Sequence, residues 1–300
     1  MNIKKIFITG ATGYIGGSVA HLLLKKGYQV TGLVRKESML EQVSLLGINP
    51  VLGDISNLSL LRQEAEKADA VINMANADES FAAIEFVEAL SGSGKTFINT
   101  SGTSLLAKRS KGEKSDFVYT EDFPLKPDLE RAERVLLNNL VLQSANQNIR
   151  SIVIAPPMVY GTGLGINKVS EQLPLLEAAA HTNMAGVYIG KGENIWSNVH
   201  VADVAELFVL ALEKAAAGSY FYAENGEASL KQIAESTSKK LGFQGKTISL
   251  SINEAIEIWG PAFTYYGLSS NSRVTAAKAR KLLGWEPKYN SILTSIETEG

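Results

Sequence analysis

Gly10-Ala11-Thr12-Gly13-Tyr14-Ile15-Gly16 leaves this chain few folds to choose from. Before it, Ile3 to Thr9 is a short apolar run that reads as a buried parallel strand. After it, Ser18 to Lys26 carries apolar residues at helical spacing, and Gly27 stops it. A turn without Cβ atoms lets the backbone approach a pyrophosphate, and the helix that follows presents unpaired N–H groups and the positive end of its dipole. A glycine triplet can also serve only to pack a helix tightly on a strand. A second strand at Tyr28 to Val34 supplies the context that phosphate binding requires.

The glycines are spaced G-x-x-G-x-x-G, not G-x-G-x-x-G. This spacing resembles the short-chain dehydrogenase/reductase superfamily, in its extended and atypical branches, which look like NAD(P)-dependent epimerase/dehydratases. The resemblance implies a cofactor pyrophosphate cradled by Gly10, Thr12, Gly13, Tyr14, Ile15 and Gly16. The second strand ends at Arg35-Lys36, with no acidic residue there to bond a ribose 2′-hydroxyl. An arginine at that point can hold a 2′-phosphate, so the pair reads as a preference for NADP(H); the alternative is a solvated basic pair at a strand end. Asp54 and Ile55, after the third strand, resemble the superfamily's adenine contacts, although Asp54 could also cap the next helix. The resemblance further places Ala75, Asn76 and Ala77 beside the nicotinamide ribose, with Thr100 and Ser101 at the next strand exit. Pro156 to Gly161 is similar to the superfamily's R-P-x-x-V-Y-G exit, with Ala155 in place of the arginine, and it implies cofactor contacts at Pro157 and Val159.

Strands are expected at 51–55, 69–77, 95–101 and 151–155, with helices at 37–47, 78–91 and 129–147 between them. Parallel strands need crossover helices, so the alternation predicts an α/β fold with a doubly wound parallel (Rossmann) sheet. Residues 107–128 are polar and contain proline, and a loop of that length inside a compact domain is expected to be functional or mobile. A helix at 203–216, a strand at 218–223, a helix at 229–241 and a strand at 247–250 complete the pattern. Residues 273–287 resemble the family's C-terminal helix ending in L-G-W-x-P. The reading is one chain unit over 1–300. Its Rossmann core covers about 1–161 and 195–228, and a small C-terminal substrate lobe covers about 162–194 and 229–300.

The superfamily's chemistry rests on Tyr-x-x-x-Lys, an upstream Ser or Thr, and a helix Asn. No tyrosine here has a lysine four residues on, and the helix that should carry the pair opens Leu125-Lys126-Pro127-Asp128-Leu129-Glu130-Arg131. The upstream hydroxyl slot falls on Gly102, with Ser101, Thr103 and Ser104 beside it; Asp78 or Glu79 stands for the Asn. Candidate catalytic groups are therefore Ser101, Thr103 and Tyr160, with Tyr119 as a further proton source. His200, in a V-H-V-x-D-V-A element, reads as structural, with Asp203 starting a helix. Two functions stay open. One is an NADP(H)-dependent oxidoreductase of the atypical short-chain family, acting on a small carbonyl or alcohol beside the aromatics Trp259, Phe263, Tyr265 and Tyr266. The other is a non-catalytic NADP(H)-binding redox sensor.

Lys and Arg number 29 against 31 Asp and Glu, so no charge field points to nucleic acid or a membrane surface. There is no cysteine, and the 3 histidines lie far apart, so no metal site is expected. The start of the chain is unlike a signal peptide, and a cytoplasmic location is expected. The resemblance implies a small-molecule substrate and pairing as a homodimer.

Overall fold

The computed structural model describes residues 3–298. Strands β1 (Lys5–Ile8), β2 (Gln29–Val34), β3 (Asn49–Leu52), β4 (Ala70–Asn73), β5 (Thr96–Thr100) and β6 (Arg150–Ala155) alternate with helices α1 (Tyr14–Lys25), α2 (Leu40–Leu45), α3 (Leu58–Lys67), α4 (Ser80–Leu90) and α5 (Leu129–Gln143). After β6 come β7 (Met158–Tyr160), α6 (Gln172–Asn183), β8 (Gly186–Ile189), β9 (Ile195–His200), α7 (Val201–Lys214) and β10 (Ser219–Tyr222). The chain closes with β11 (Glu227–Ser229), α8 (Leu230–Lys240), β12 (Thr247–Leu250), α9 (Ile252–Phe263) and α10 (Ile292–Thr298).

Seven strands form one parallel sheet in the order β10-β6-β5-β4-β1-β2-β3. Period-two alternation sends successive side chains to opposite faces. Ile6, Ile8, Ala70, Ile72, Ile98, Ile152 and Ile154 pack with Val19, Leu23 and Phe208 of α1 and α7 on one face. Phe7, Val71, Phe97 and Val153 pack with Leu61, Phe86, Leu137 and Val141 of α3, α4 and α5 on the other. Burial of each such Val, Leu, Ile or Phe side chain contributes about 1.5–3 kcal/mol. Phe86 sits between Phe7 and Phe97, at centroid distances of 6.1 and 5.7 Å. The doubly wound sheet expected from the alternation is present.

The third strand begins two residues before the expected position and contains Pro50. Because β3 is the sheet edge, pairing with β2 alone, the missing proline N–H costs no ladder bond.

Two smaller sheets, β11-β9-β7 and β12-β8, stand beyond the main one. They share a further core with α6, α8, α9 and α10, built on Tyr160, Leu176, Trp196, Ile233, Tyr266 and Ile292. Residues 107–128 are strapped onto this region. Lys108 bridges Asn271, Tyr119 bridges Val274, and the Asn271 side chain accepts from the Ser115 and Ile195 amides. That strapping overturns the expectation of a long helix over 273–287. The Arg273 carbonyl accepts from the Tyr119 amide, and the Thr275 amide donates to the Tyr119 carbonyl, so these backbone groups are spent on the strap. Helix is confined to residues 277–283, and Gly284, at φ 67°, ends it.

Candidate active site

The glycine turn joins β1 to α1 at the carboxyl end of the sheet. Gly13 precedes the first helical residue and offers no capping side chain, so the first α1 N–H groups stay open to an anion. Gly10 has φ +72°, and a Cβ there would stand 2.8 Å from the Met74 carbonyl oxygen; a Cβ on Gly16 would run into the Gly10 carbonyl. Gly13 has φ −79°, and a Cβ would lie 3.1 Å from the Gly10 oxygen. The first and third glycines thus let the turn form, and the middle one keeps its open side clear. Thr12, Tyr14 and Ile15 are half-buried around the turn. The Tyr14 hydroxyl donates to the Gly161 carbonyl at 2.6 Å, and the Leu164 amide donates to Ser18 Oγ at 2.9 Å. Gly17 and Gly165 approach so closely that a Cβ on either would meet the other's backbone. This stitches the 161–165 segment to the start of α1, a contact that nothing in the local sequence announces.

A buried polar ladder fixes the neighbouring strand exits. Thr9 Oγ1 donates to Asn73 Oδ1 at 2.7 Å and accepts from the Met74 and Ala75 amides. Asn73 Nδ2 continues to Asn99 Oδ1 at 2.9 Å. All three side chains are buried, so each bond replaces water in a low-dielectric setting, where leaving a partner unmade costs about 1–3 kcal/mol. The ladder holds the Ala75-Asn76-Ala77 loop, of which Ala75 and Asn76 are exposed, beside the glycine turn.

At the other end of the turn, Arg35 and Lys36 follow β2 and are exposed. Neither side chain makes a hydrogen bond or ion pair with any described residue. Asp54 Oδ1 accepts from the Ser56 amide and hydroxyl, and these bonds, aided by the Arg35 charge, hold its carboxyl below the usual range. The cap of α3 is Asn57, which accepts from the Leu60 amide, so capping is not the work of Asp54. Ile55 packs against the core beneath α3.

At the exits of β5 and β6 the candidate groups are buried. Thr100 Oγ1 has no partner. Ser101 Oγ accepts from Asn138 Nδ2 on α5 at 2.9 Å. Thr103 Oγ1 accepts from Ser272 Oγ at 2.8 Å. The Tyr160 hydroxyl donates to the Tyr289 carbonyl at 3.1 Å, with its ring edge-on to His200. Pro157 and Val159 are buried, Val159 within the main core. The structure therefore brings Ser101 and Thr103 to one strand exit and sets Tyr160 in the neighbouring core, its hydroxyl directed at backbone. His200 caps α7 through Nδ1, which accepts from the Ala202 amide, and stacks on Tyr289 at 3.7 Å. Asp203 accepts from the Lys288 and Tyr289 amides, and its carbonyl accepts from Trp285 Nε1, so it clamps the C-terminal segment to the start of α7.

Sequence reasoning passed over the arginines of α5. Arg134 Nη1 lies 3.4 Å from where a Cβ of Gly102 would stand, so its guanidinium borders the vacant hydroxyl slot. It donates to Ser104 Oγ at 2.8 Å and, bidentately, to Asp78. Arg131 lies one turn earlier, 4.4 Å over the Tyr266 ring. Burial, and then the Arg134 charge, pull its guanidinium below its ordinary pKa. Arg131, Arg134 and Asn138 are three and four residues apart and share a helix face, a spacing legible in the sequence once the missing Tyr-Lys pair has drawn attention to α5. Glu79 caps α4 through the Phe81 amide.

A cavity of about 750 Å³ lined by Lys5, Gln29, Asn49 and Lys67 opens at the amino ends of the strands. Open α/β sheets bind ligands at the carboxyl ends, and every group described above lies there. Among the described residues no cluster of His, Asp and Glu could hold a metal, and no helix is long and apolar enough to cross a membrane.

A model of the NAD dependent epimerase/dehydratase family matches residues 6–221, from β1 through β10. The chain belongs to this family. An uncharacterised protein of Schizosaccharomyces pombe is 32% identical over 98% of this chain and 99% of its own length. A 4-hydroxy-2-methyl-3-oxo-4-farnesyl-3,4-dihydroquinoline-1-oxide ketoreductase of Stigmatella aurantiaca is 24% identical over 74% of this chain and 68% of its own. Among solved structures, dTDP-glucose 4,6-dehydratase from Bacillus anthracis in complex with NAD superposes with a TM-score of 0.77, covering 98% of this chain and 94% of that one at 18% identity. At that identity the superposition speaks for the epimerase/dehydratase fold alone.

Proposed function

We propose that the chain is an NADP(H)-dependent oxidoreductase acting on a small carbonyl or alcohol substrate. The observation that carries the reading is the glycine turn set beside two uncommitted cations. The uncapped start of α1 suits a pyrophosphate, and Arg35 and Lys36 at the β2 exit suit a 2′-phosphate. Asp54 and Ile55 would flank the adenine. Ala75, Asn76, Ala77, Thr100 and Ser101 would line the nicotinamide ribose, and Pro157 and Val159 the exit beyond it. The cofactor supplies hydride exchange at its nicotinamide, and the protein supplies binding, orientation and electrostatics. The ladder Thr9–Asn73–Asn99 holds the loop beside the ribose. Ser101, oriented by Asn138, and Arg134, held by Asp78 and Ser104, present donors at the β5 exit where a carbonyl oxygen would gain charge. The ketoreductase name of one relative agrees with carbonyl reduction.

Replacing Arg35 with glutamine tests the assignment. A charge-assisted hydrogen bond contributes about 1.5–3 kcal/mol, so Arg35→Gln should weaken NADPH binding by about 10- to 150-fold and leave NADH binding unchanged. Equal loss for the two cofactors would remove Arg35 from the 2′-phosphate site.

A further inference from the structure

We infer that Arg131 anchors a carboxylate carried by the substrate, in the crevice between α5 and the Tyr265–Tyr266 wall. The inference rests on the active-site reading above and names its substrate class. Arg109 and Arg131 both lie over the Tyr266 ring, with Arg134 near Arg131, and two of these three guanidinium groups are matched. Arg109 Nη2 pairs with Glu130 at 2.6 Å while its Nε donates to the Tyr266 hydroxyl at 3.0 Å; Arg134 pairs bidentately with Asp78. The Arg131 guanidinium donates no hydrogen bond to any described residue. Its face is satisfied by the Tyr266 ring, its Nε is buried without a partner, and the residue as a whole is half-buried. A half-buried guanidinium that keeps its donor edge unused is held ready for a planar acceptor, and a carboxylate fits that edge in a fork.

The surroundings favour a single negative charge on an apolar body. Asp78 and Glu130 stand close enough to act on the Arg131 charge, so they would repel a phosphate dianion more than a carboxylate. The adjoining wall of Trp259, Phe263 and Tyr265 is apolar, partly buried and continuous with the core around Tyr266, and suits an apolar or aromatic body beyond the carboxylate. Arg134, one helical turn on, borders the β5 exit, so a carboxylate on Arg131 would set the rest of the substrate toward that exit.

The test is a calorimetric titration of the full chain, with and without NADP⁺, using benzoate, its neutral analogue benzamide, and inorganic phosphate. Wild type is expected to bind benzoate at least tenfold more tightly than benzamide or phosphate. Arg131→Gln should lose tenfold or more in benzoate affinity, with benzamide and NADPH affinities unchanged. Arg131→Lys, which keeps the charge and loses the planar fork, should fall between the two. Equal binding of benzoate and benzamide, binding of neither, or unchanged benzoate affinity in Arg131→Gln would overturn the anchor. Phosphate binding tighter than benzoate would overturn the carboxylate class. Thermal melts of both variants check folding. NADPH binding is read in the same series, so a failure of the cofactor reading shows separately from a failure of the anchor.

Discussion

Gly10→Ala tests whether the glycine turn is a requirement of the backbone as well as of the ligand. At φ +72° an alanine sits in the left-handed region, which costs about 1–2 kcal/mol. Its Cβ would lie 2.8 Å from the Met74 oxygen and 2.9 Å from the Met74 carbonyl carbon. Those atoms cannot withdraw freely, because Thr9 Oγ1 holds the Met74 and Ala75 amides from below. Overpacking of this kind costs about 1–3 kcal/mol. The alanine also narrows the unfolded ensemble, which offsets about 0.4–1 kcal/mol. The net expectation is a loss of about 2–4 kcal/mol in urea denaturation. The turn must shift to relieve the clash, and each misplaced N–H to pyrophosphate bond removes about 1.5–3 kcal/mol, so NADPH affinity should fall by about 10-fold or more. Gly13→Ala is the control. Its φ of −79° suits alanine, and the nearest atom stands at 3.1 Å, so stability should change by about 1 kcal/mol or less while the methyl group intrudes on the open side of the turn. Wild-type stability and NADPH affinity in Gly10→Ala would refute the reasoning, as would a Gly13→Ala variant that loses stability and keeps its affinity.

Two further predictions concern the framework. Burial raises the Glu121 carboxyl above its ordinary value, and Oε1 has no partner. A raised folded value means that its contribution is fully present below the unfolded value, at about pH 4, and is lost as pH rises through the folded one. Glu121→Gln should therefore be more stable than wild type at pH 7, with the difference vanishing below about pH 4; thermal melts across pH that show no such convergence would contradict this. Asp203→Asn replaces a two-amide acceptor with a group that faces one of those amides with its own N–H; urea denaturation should show a loss of about 1–3 kcal/mol, and an unchanged midpoint would mean that the clamp on residues 288–289 contributes nothing.

The sheet was legible because its signals are local and periodic. Ile6, Phe7 and Ile8 alternate faces, the glycine turn stands between strand and helix, and each crossover has an amphipathic helix. The position of Arg35 and Lys36 after β2 is legible for the same reason, since they follow a recognisable strand. What the sequence did not disclose depends on contacts between distant segments. Thr275 reads as helical until Tyr119, more than 150 residues away, takes its backbone. Gly17 and Gly165 carry no shared motif, yet a Cβ on either would crowd the backbone of the other. Residues 158–160 and 195–200 are distant in sequence, and they pair as strands with Met158 and Tyr160 opposite Asn198 and His200. At the β5 exit the absence of a Tyr-Lys pair was visible, but the groups that stand there were not. Arg134 reaches the Gly102 slot only because α5 packs against that exit, and Arg131 gains its place from Tyr266 in another layer.

The proposed role of this site is to hold a phosphorylated nicotinamide cofactor for turnover. One calorimetric series on the purified chain, with NADPH, NADP⁺, NADH and NAD⁺, tests it most directly. NADPH and NADP⁺ are both expected to bind, as an enzyme that must hold substrate and product cofactor requires, with NADH and NAD⁺ weaker by about tenfold or more. Binding of none of the four, or NADH and NAD⁺ binding as tightly as their phosphorylated forms, would contradict it.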